Sequence, residues 1–314
     1  MFKDAGPCLP RVVVSGDAFG DAMTTGQSRN RAAAVSAFAA TLVAALALSG
    51  CVTDQLTTGS IPESAEASYA SSPANIASLT DVIRQNASDP QAYNMRGTVF
   101  GQAGRHQEAL ADFNKAISLD PKYAQAYSNR GLVHRQINKL DLALADYNKA
   151  LSIDPSYAPA YLGRGIAQRD RGQLLPALND FNKAITIRPD SAQAYHNRGL
   201  LYQSQRQHQY AIDDFTTAIG LSQREAEPYV ARALSYLAIN DPKAAAGDLD
   251  DAVQIEPQSA SAWASRGLAY ERLGDKEKAA GSYAKALNVN QNYEPAKTGF
   301  ARVGGKFGET YQTF

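Results

Sequence analysis

The sequence predicts an all-α protein, a solenoid of antiparallel helix hairpins stacked in tandem. Three observations predict it. The chain repeats itself every 34 residues from Pro90 to Tyr293, six units without a gap. Within each unit, small and aromatic residues return at the three-and-four spacing that puts them on one face of a helix. A proline closes four of the six units, at Pro121, Pro155, Pro189 and Pro257, where it stops one helix before the next begins.

The marker positions are regular. Position 4 is aromatic: Tyr93, Tyr127, Tyr161, Tyr195, Tyr229 and Trp263. Position 7 is Arg96, Arg130, Arg164, Arg198, Arg232 and Arg266, and position 8 is small: Gly97, Gly131, Gly165, Gly199, Ala233 and Gly267. Alanine holds position 20, from Ala109 to Ala279, and position 27, from Ala116 to Ala286. Position 24 is Phe113, Tyr147, Phe181, Phe215, Leu249 and Tyr283. Positions 4, 8 and 11 form one stripe and positions 20, 24 and 27 another, so the two stripes face each other across a hairpin. The small residues let the backbones approach and the ring at position 24 fills the remaining space. A bulky residue at Ala177 is expected to cost about 1–3 kcal/mol by overpacking.

This pattern resembles the tetratricopeptide repeat (TPR) family. The resemblance implies a right-handed superhelix with a concave inner surface that binds other proteins. The departures are mild: Gln223 and Gln291 stand where the closing proline belongs, Ala233 replaces glycine, and position 7, commonly leucine in the family, is arginine throughout.

Ahead of the repeats, residues 32–48 form an uncharged run of apolar and small residues, preceded by Arg29 and Arg31 and followed by Leu48-Ser49-Gly50-Cys51. This is the order of a secretory signal peptide, and its last four residues resemble the lipobox of bacterial lipoproteins. The resemblance implies lipidation at Cys51, with a membrane anchor of more than one acyl chain. A leader starting at Met1 is unusually long; a start at Met23 gives an ordinary one. Val52 after the cysteine favours the outer membrane in the enterobacterial sorting pattern, with the body in the periplasm.

The expected organisation is a signal peptide over 1–50, the lipidated cysteine and a flexible Ser/Thr/Ala/Gly-rich tether over 51–73, and an N-terminal capping helix over 74–89. Ile76, Leu79, Val82 and Ile83 share one face of that helix. Six repeats follow over 90–123, 124–157, 158–191, 192–225, 226–259 and 260–293. A C-terminal capping helix and a tail occupy 294–314, the helix ending at Gly304-Gly305 and the last nine residues reading as disordered.

Composition narrows the function. Basic and acidic residues balance at 31 each; residues 1–50 hold four of the first and three of the second, so the chain from Cys51 stays balanced. No basic excess points to nucleic acid. Two cysteines and four scattered histidines offer no metal motif, no phosphate loop or nucleophile elbow is present, and no cofactor is implied. Leader, tether, repeats and caps use the whole chain, leaving no catalytic domain.

Two residue sets stand out. Position 7 is matched by aspartate at position 23, as Asp112, Asp146, Asp180, Asp214 and Asp248, with Ser282 in the last unit. This reads as a structural ladder of Arg/Asp ion pairs between stacked helices. Asp213-Asp214 and Asp250-Asp251 also read as solvated carboxylates of the second-helix surface. The family's concave face is lined by first-helix positions that here include Gln91, Asn94, Gln125, Asn129, Arg135, Arg169, His196, Asn197 and Gln203. Their amides suit a peptide backbone. Val230, Leu234 and Leu237 offer an apolar seat in the fifth unit. The carboxylate clamp of chaperone-binding members is missing: Asn129 and Asn197 match its asparagine, but Asn94, Pro159 and Gly163 around the first and Leu162, Glu227 and Ala231 around the second stand where its other ligands belong.

The sequence is similar in layout to NlpI-type TPR lipoproteins, which implies a scaffold for cell-wall hydrolases and proteases. A second expectation is an assembly factor for a pilus or secretion machine. Solenoid ends and the C-terminal tail leave homodimerisation open.

Overall fold

The computed structural model describes residues 72–306 and 308–311. Leader, Cys51 and the tether to residue 71 lie outside the described residues, as do Phe307 and residues 312–314. The described residues form fourteen helices and no strand. The chain enters through α1 (Pro73–Gln85). Six hairpins follow: α2 (Pro90–Gln102) with α3 (His106–Leu119), α4 (Ala124–Gln136) with α5 (Leu140–Ile153), α6 (Ala158–Asp170) with α7 (Leu174–Ile187), α8 (Ala192–Ser204) with α9 (His208–Leu221), α10 (Ala226–Ala238) with α11 (Pro242–Ile255), and α12 (Ala260–Leu273) with α13 (Lys276–Val289). It ends in α14 (Glu294–Arg302). Each helix packs on its sequence neighbours, and first helices also touch the first helices of adjoining units, as a TPR solenoid requires.

Both turn types have a local cause. Within every hairpin the residue at position 15 is left-handed, with φ of 72° at Gly104, 58° at Asn138, 76° at Gly172, 59° at Arg206, 64° at Asn240 and 83° at Gly274. The following amide reaches back to the helix, as Gln173 N does to Gln168 O at 2.8 Å, completing a Schellman stop. Between units, Asp120-Pro121-Lys122-Tyr123 closes with Tyr123 N donating to Asp120 O at 3.1 Å and Lys122 N to Asp120 Oδ1 at 2.9 Å. Aspartate first and proline second is the preferred chemistry of that turn. Asn290 closes the same turn without proline, its Oδ1 accepting from Asn292 N at 3.0 Å.

The hairpin core is as the spacing predicts. The alanines at positions 20 and 27 are buried throughout, as are the position-24 residues. A Cβ placed on Gly97, Gly165, Gly199 or Gly267 lies 2.6–2.9 Å from the position-24 ring, so glycine is demanded by the ring. Unit five shows the compensated exception: Ala233 replaces the glycine and Leu249 the ring, both fully buried.

The arginine column is built differently from the expectation in one respect. Its carboxylate partners lie in the same unit, not in a stacked neighbour. Arg164 Nε and Nη2 donate to Asp180 Oδ2 and Oδ1, both at 2.7 Å, and Arg96, Arg130, Arg198 and Arg232 repeat this fork. The five aspartates are only 5–7 % exposed. The link between units is the remaining nitrogen: Arg164 Nη1 donates to Asn148 Oδ1 of the preceding unit at 2.7 Å. Asn114, Asn182 and Thr216 serve Arg130, Arg198 and Arg232 in the same way. Each guanidinium also lies 5.5–6.0 Å from the position-4 ring of its own helix. Unit six exchanges the roles. Arg266 donates to Ser282 Oγ at 2.7 Å in its own unit and to the Asp250 carboxylate of the preceding one at 2.6 Å. Asp214 and Asp250 are therefore ion-pair partners, not solvated carboxylates.

The caps need three corrections. Ser72 and Pro73 belong to the capping helix rather than the tether, Ser72 Oγ accepting from Asn75 N at 3.3 Å. Leu79 and Ile83 are buried, but Val82 is exposed, rotated off the face that meets α2. At the other end the tail is not wholly free. Tyr311 stacks edge-on against Phe300 with ring centroids 5.8 Å apart, and its hydroxyl accepts from Lys306 N at 2.7 Å.

Candidate protein-binding groove

The first helices line one face of the stack, and the amides predicted there divide into two groups. Several fasten helix to helix. Asn94 is 3 % exposed and accepts from Asn129 Nδ2 at 3.0 Å, joining α2 to α4. Gln203 Nε2 donates to Ala231 O at 2.8 Å and Ser235 Oγ at 2.9 Å, joining α8 to α10. Asn197 donates to Gln193 O at 2.8 Å and accepts from Arg169 Nη1 at 3.0 Å. Asn94 and Gln203 are thus structural, because partners 28–35 residues away in sequence already take the bonds a ligand would use. Gln91 and Gln125 are exposed, with Gln125 accepting from the Tyr123 hydroxyl at 3.3 Å. Leu237 is buried in the core of the last two units, leaving Val230 half-buried and Leu234 exposed at the groove.

The second group surrounds one cavity of about 680 Å³ that runs from α4 to the start of α10. Asn129, Arg135, Arg169, His196 and Asn197 all line it. Leu132, Pro159, Leu162 and Ile166 supply apolar wall, and Glu225 and Glu227 stand at the α10 end. Burial lowers the His196 pKa against the pull of Glu227, and its ring lies 5.6 Å from that of Phe215.

The floor holds a residue that sequence reasoning assigned only to the core. Tyr147, at position 24 of the second unit, is 1 % exposed yet lines the cavity. Its hydroxyl emerges there because Gly163 of the next unit has no side chain: a Cβ on Gly163 lies 2.5 Å from the ring and 2.7 Å from the hydroxyl. Neither the buried Tyr147 hydroxyl nor Arg135 Nε has an acceptor, and the Arg135 guanidinium faces the phenol oxygen as a donor. Burial pushes the Tyr147 phenol up to about 12, against a smaller pull from the nearby Arg135 charge. It is a neutral donor in a site of donors. Asp170 holds the two groove arginines loosely, at 3.5 Å from Arg135 and 3.4 Å from Arg169. The signal in the sequence is a tyrosine where neighbouring units carry phenylalanine, followed 16 residues later by a glycine.

Among the described residues no group of three or more His, Cys, Asp and Glu side chains is placed to hold a metal ion, and no helix is long and apolar enough to cross a membrane.

Comparison with known proteins agrees with this architecture. Tetratricopeptide repeat models match residues 76–124, 94–158 and 230–295, and again 192–225; a TPR repeat model matches 165–205. No curated protein matches the sequence. Among solved structures, the Cut9–Hcn1 hetero-tetramer of the APC/C aligns with a TM-score of 0.67 at 16% identity, over 76% of this chain and 47% of that one. The present chain thus spans about half of that relative. PilF of Pseudomonas aeruginosa aligns with a TM-score of 0.61 at 20% identity, over 68% of this chain and 97% of its own. PilW, a type IV pilus biogenesis factor, aligns with a TM-score of 0.61 at 19% identity, over 67% and 97%. At these identities the likeness is one of fold. Repeat models, helix order and hairpin core agree: the chain belongs to the tetratricopeptide repeat family.

Proposed function

We propose that this chain is a non-catalytic adaptor of the bacterial cell envelope, anchored through lipid at Cys51, that holds extended segments of other proteins in the groove between α4 and α10. The observation that carries the reading is the groove cavity itself, with apolar walls and convergent donors that lack acceptors. Such a surface is costly to leave empty and suits a ligand with carbonyl or carboxylate oxygens. The apolar run ending in Leu48-Ser49-Gly50-Cys51 supports export and lipidation, and Val52 supports the outer membrane, with the repeats in the periplasm and cell-wall or proteolytic enzymes as the partners organised there.

The test is capture from envelope extract by detergent-solubilised full chain, compared with Leu132→Lys. Leu132 is 41 % exposed in the groove, so the substitution leaves the core alone. Partners held by the wild type and lost by the variant support groove binding. Equal capture by both moves the binding surface elsewhere. Labelling with radioactive palmitate checks the anchor: incorporation that vanishes in Cys51→Ser is the expected result, and an unlabelled wild type overturns it.

A second reading is an assembly factor for a pilus or secretion system. It is favoured by the fold shared with PilF and PilW, together with the layout of lipobox, tether and repeats. Loss of surface pili on deletion, with cell-wall enzyme activity unchanged, selects this reading over the first.

A further inference from the structure

The molecule contains two tyrosines at position 24, and each is followed by a glycine at position 6 of the next unit: Tyr147 with Gly163, and Tyr283 with Gly299. In both, the missing Cβ opens a path for the phenol toward the groove side. The two hydroxyls meet different surroundings. Tyr283 Oη donates to Glu271 Oε2 at 2.8 Å, and the same oxygen accepts from Arg302 Nη2 at 2.8 Å. A carboxylate is thus held between a phenol and a guanidinium. Glu271 occupies position 12 of its unit. Position 12 of the Tyr147 unit is Arg135, and the counterpart of Arg302 is Ile166, so a guanidinium stands in the carboxylate's place and the phenol is left without an acceptor. Asp170 approaches from the rim, long and 32 % exposed. It shows that one carboxylate can engage both groove arginines, but it leaves Tyr147 Oη and Arg135 Nε without acceptors.

The geometry points to a carboxylate subsite in the groove, where an Asp or Glu side chain of the partner segment accepts from Tyr147 Oη and lies between Arg135 and Arg169. This rests on the groove reading above and narrows it to a class of ligand. A guanidinium and a neutral phenol both donate, so the occupant must be an acceptor, and the positive charge selects an anionic one. A side chain on a peptide fits better than a free anion. The apolar wall of Leu132, Leu162 and Ile166 flanks the donors, and Glu225 and Glu227 at the far end of the cavity repel a diffusible multivalent anion. They leave room for a segment that carries its acidic residue at the α4–α6 end.

The experiment pans detergent-solubilised full chain against random 12-residue peptides fused at their C-termini to a phage coat protein, so that no free terminal carboxylate is displayed. Selected peptides are synthesised with amidated ends and titrated calorimetrically. The expected result is one shared acidic position, with affinity falling about 10-fold when that residue is changed to its amide. Tyr147→Phe, which keeps the ring, should lower affinity for the acidic peptide by a similar factor and leave the amide peptide unaffected. Asp170→Asn should tighten binding several-fold by removing the internal competitor. Thermal melts confirm that each variant is folded. Peptides that require Leu132 but share no acidic residue overturn the subsite and leave groove binding standing. Failure to select any groove-dependent peptide overturns both. Equal displacement by millimolar inorganic phosphate shows a free-anion site and overturns the peptide assignment.

Discussion

The Tyr147 and Tyr283 sites begin from the same substitution, a ring with a hydroxyl where the other aromatic units carry phenylalanine, and end in opposite states. Tyr283 also lines a cavity, of about 390 Å³, together with Arg302, but there the chain supplies its own carboxylate and closes the site by satisfying the donors. Burial and the bond to Glu271 both raise that phenol's pKa, and Arg302 completes the arrangement. At Tyr147 the corresponding position is an arginine and the site stays open toward a cavity. A repeat protein builds a structural lock and a receptive site from one scaffold by changing the charge at position 12. An unmet buried donor is destabilising, and such violations gather where a protein does its work.

The largest expected effect comes from opening the closed site. Glu271→Ala removes the acceptor for Tyr283 and Arg302 and should lower stability by about 2 kcal/mol, measured by urea denaturation. A loss within error of zero would mean that the Tyr283 carboxylate contact is not a stabilising lock. Glu271 has its pKa lowered, chiefly by the bond from Arg302. Its contribution should therefore be complete above the ordinary glutamate range and disappear as pH falls through the lowered value.

At alkaline pH the comparison sharpens. Burial pushes the folded Tyr147 phenol up to about 12 from its ordinary value of 10.0. The stability linked to it is complete below about pH 10 and is lost as pH rises through the raised value. Tyr147→Phe should flatten that part of the stability curve and leave neutral stability equal or higher by up to about 1 kcal/mol. A steep fall at neutral pH would show a hydroxyl that is already satisfied.

Closing the open site is the third test. Arg135→Glu copies position 12 of unit six beside Tyr147. It should raise stability by about 1 kcal/mol and abolish binding of acidic peptides; retained acidic binding would place the ligand elsewhere. The smallest effect falls on neither site and calibrates both. Arg206 is the one left-handed position 15 that is neither glycine nor asparagine, and Arg206→Gly should stabilise by about 0.5–1 kcal/mol in the same denaturation assay.

These sites were unequally legible in the sequence. The 34-residue recurrence carries the hairpins, their glycine–ring contacts and the Arg/Asp fork, because all of these are local to one unit. What crosses between units was harder to read. The nitrogen of Arg164 that bonds Asn148, and the transfer of the last carboxylate from position 23 to Asp250, depend on which second helix lies behind which first helix. The amide-rich surface is ambiguous in the sequence for the same reason: Asn94 and Asn129 bond to each other across a unit boundary. Tyr147 was hidden in a column of core rings. Only the missing Cβ of Gly163 and the cavity beyond it distinguish its hydroxyl from a buried one with nowhere to go.

The arginine column also gives the solenoid an order in time. Synthesis delivers the N-terminal units first. When Arg164 leaves the ribosome, Asn148 of the preceding unit precedes it by 16 residues, while Asp180 is still to come. Each new first helix thus meets a neutral acceptor already in place, and its charge is matched only when its own second helix arrives. Unit six reverses the sequence of events. Its full counter-charge, Asp250, is made before Arg266, so α12 can lock onto the stack before α13 exists. The last hairpin is thus secured from behind, and α14 packs against its other side.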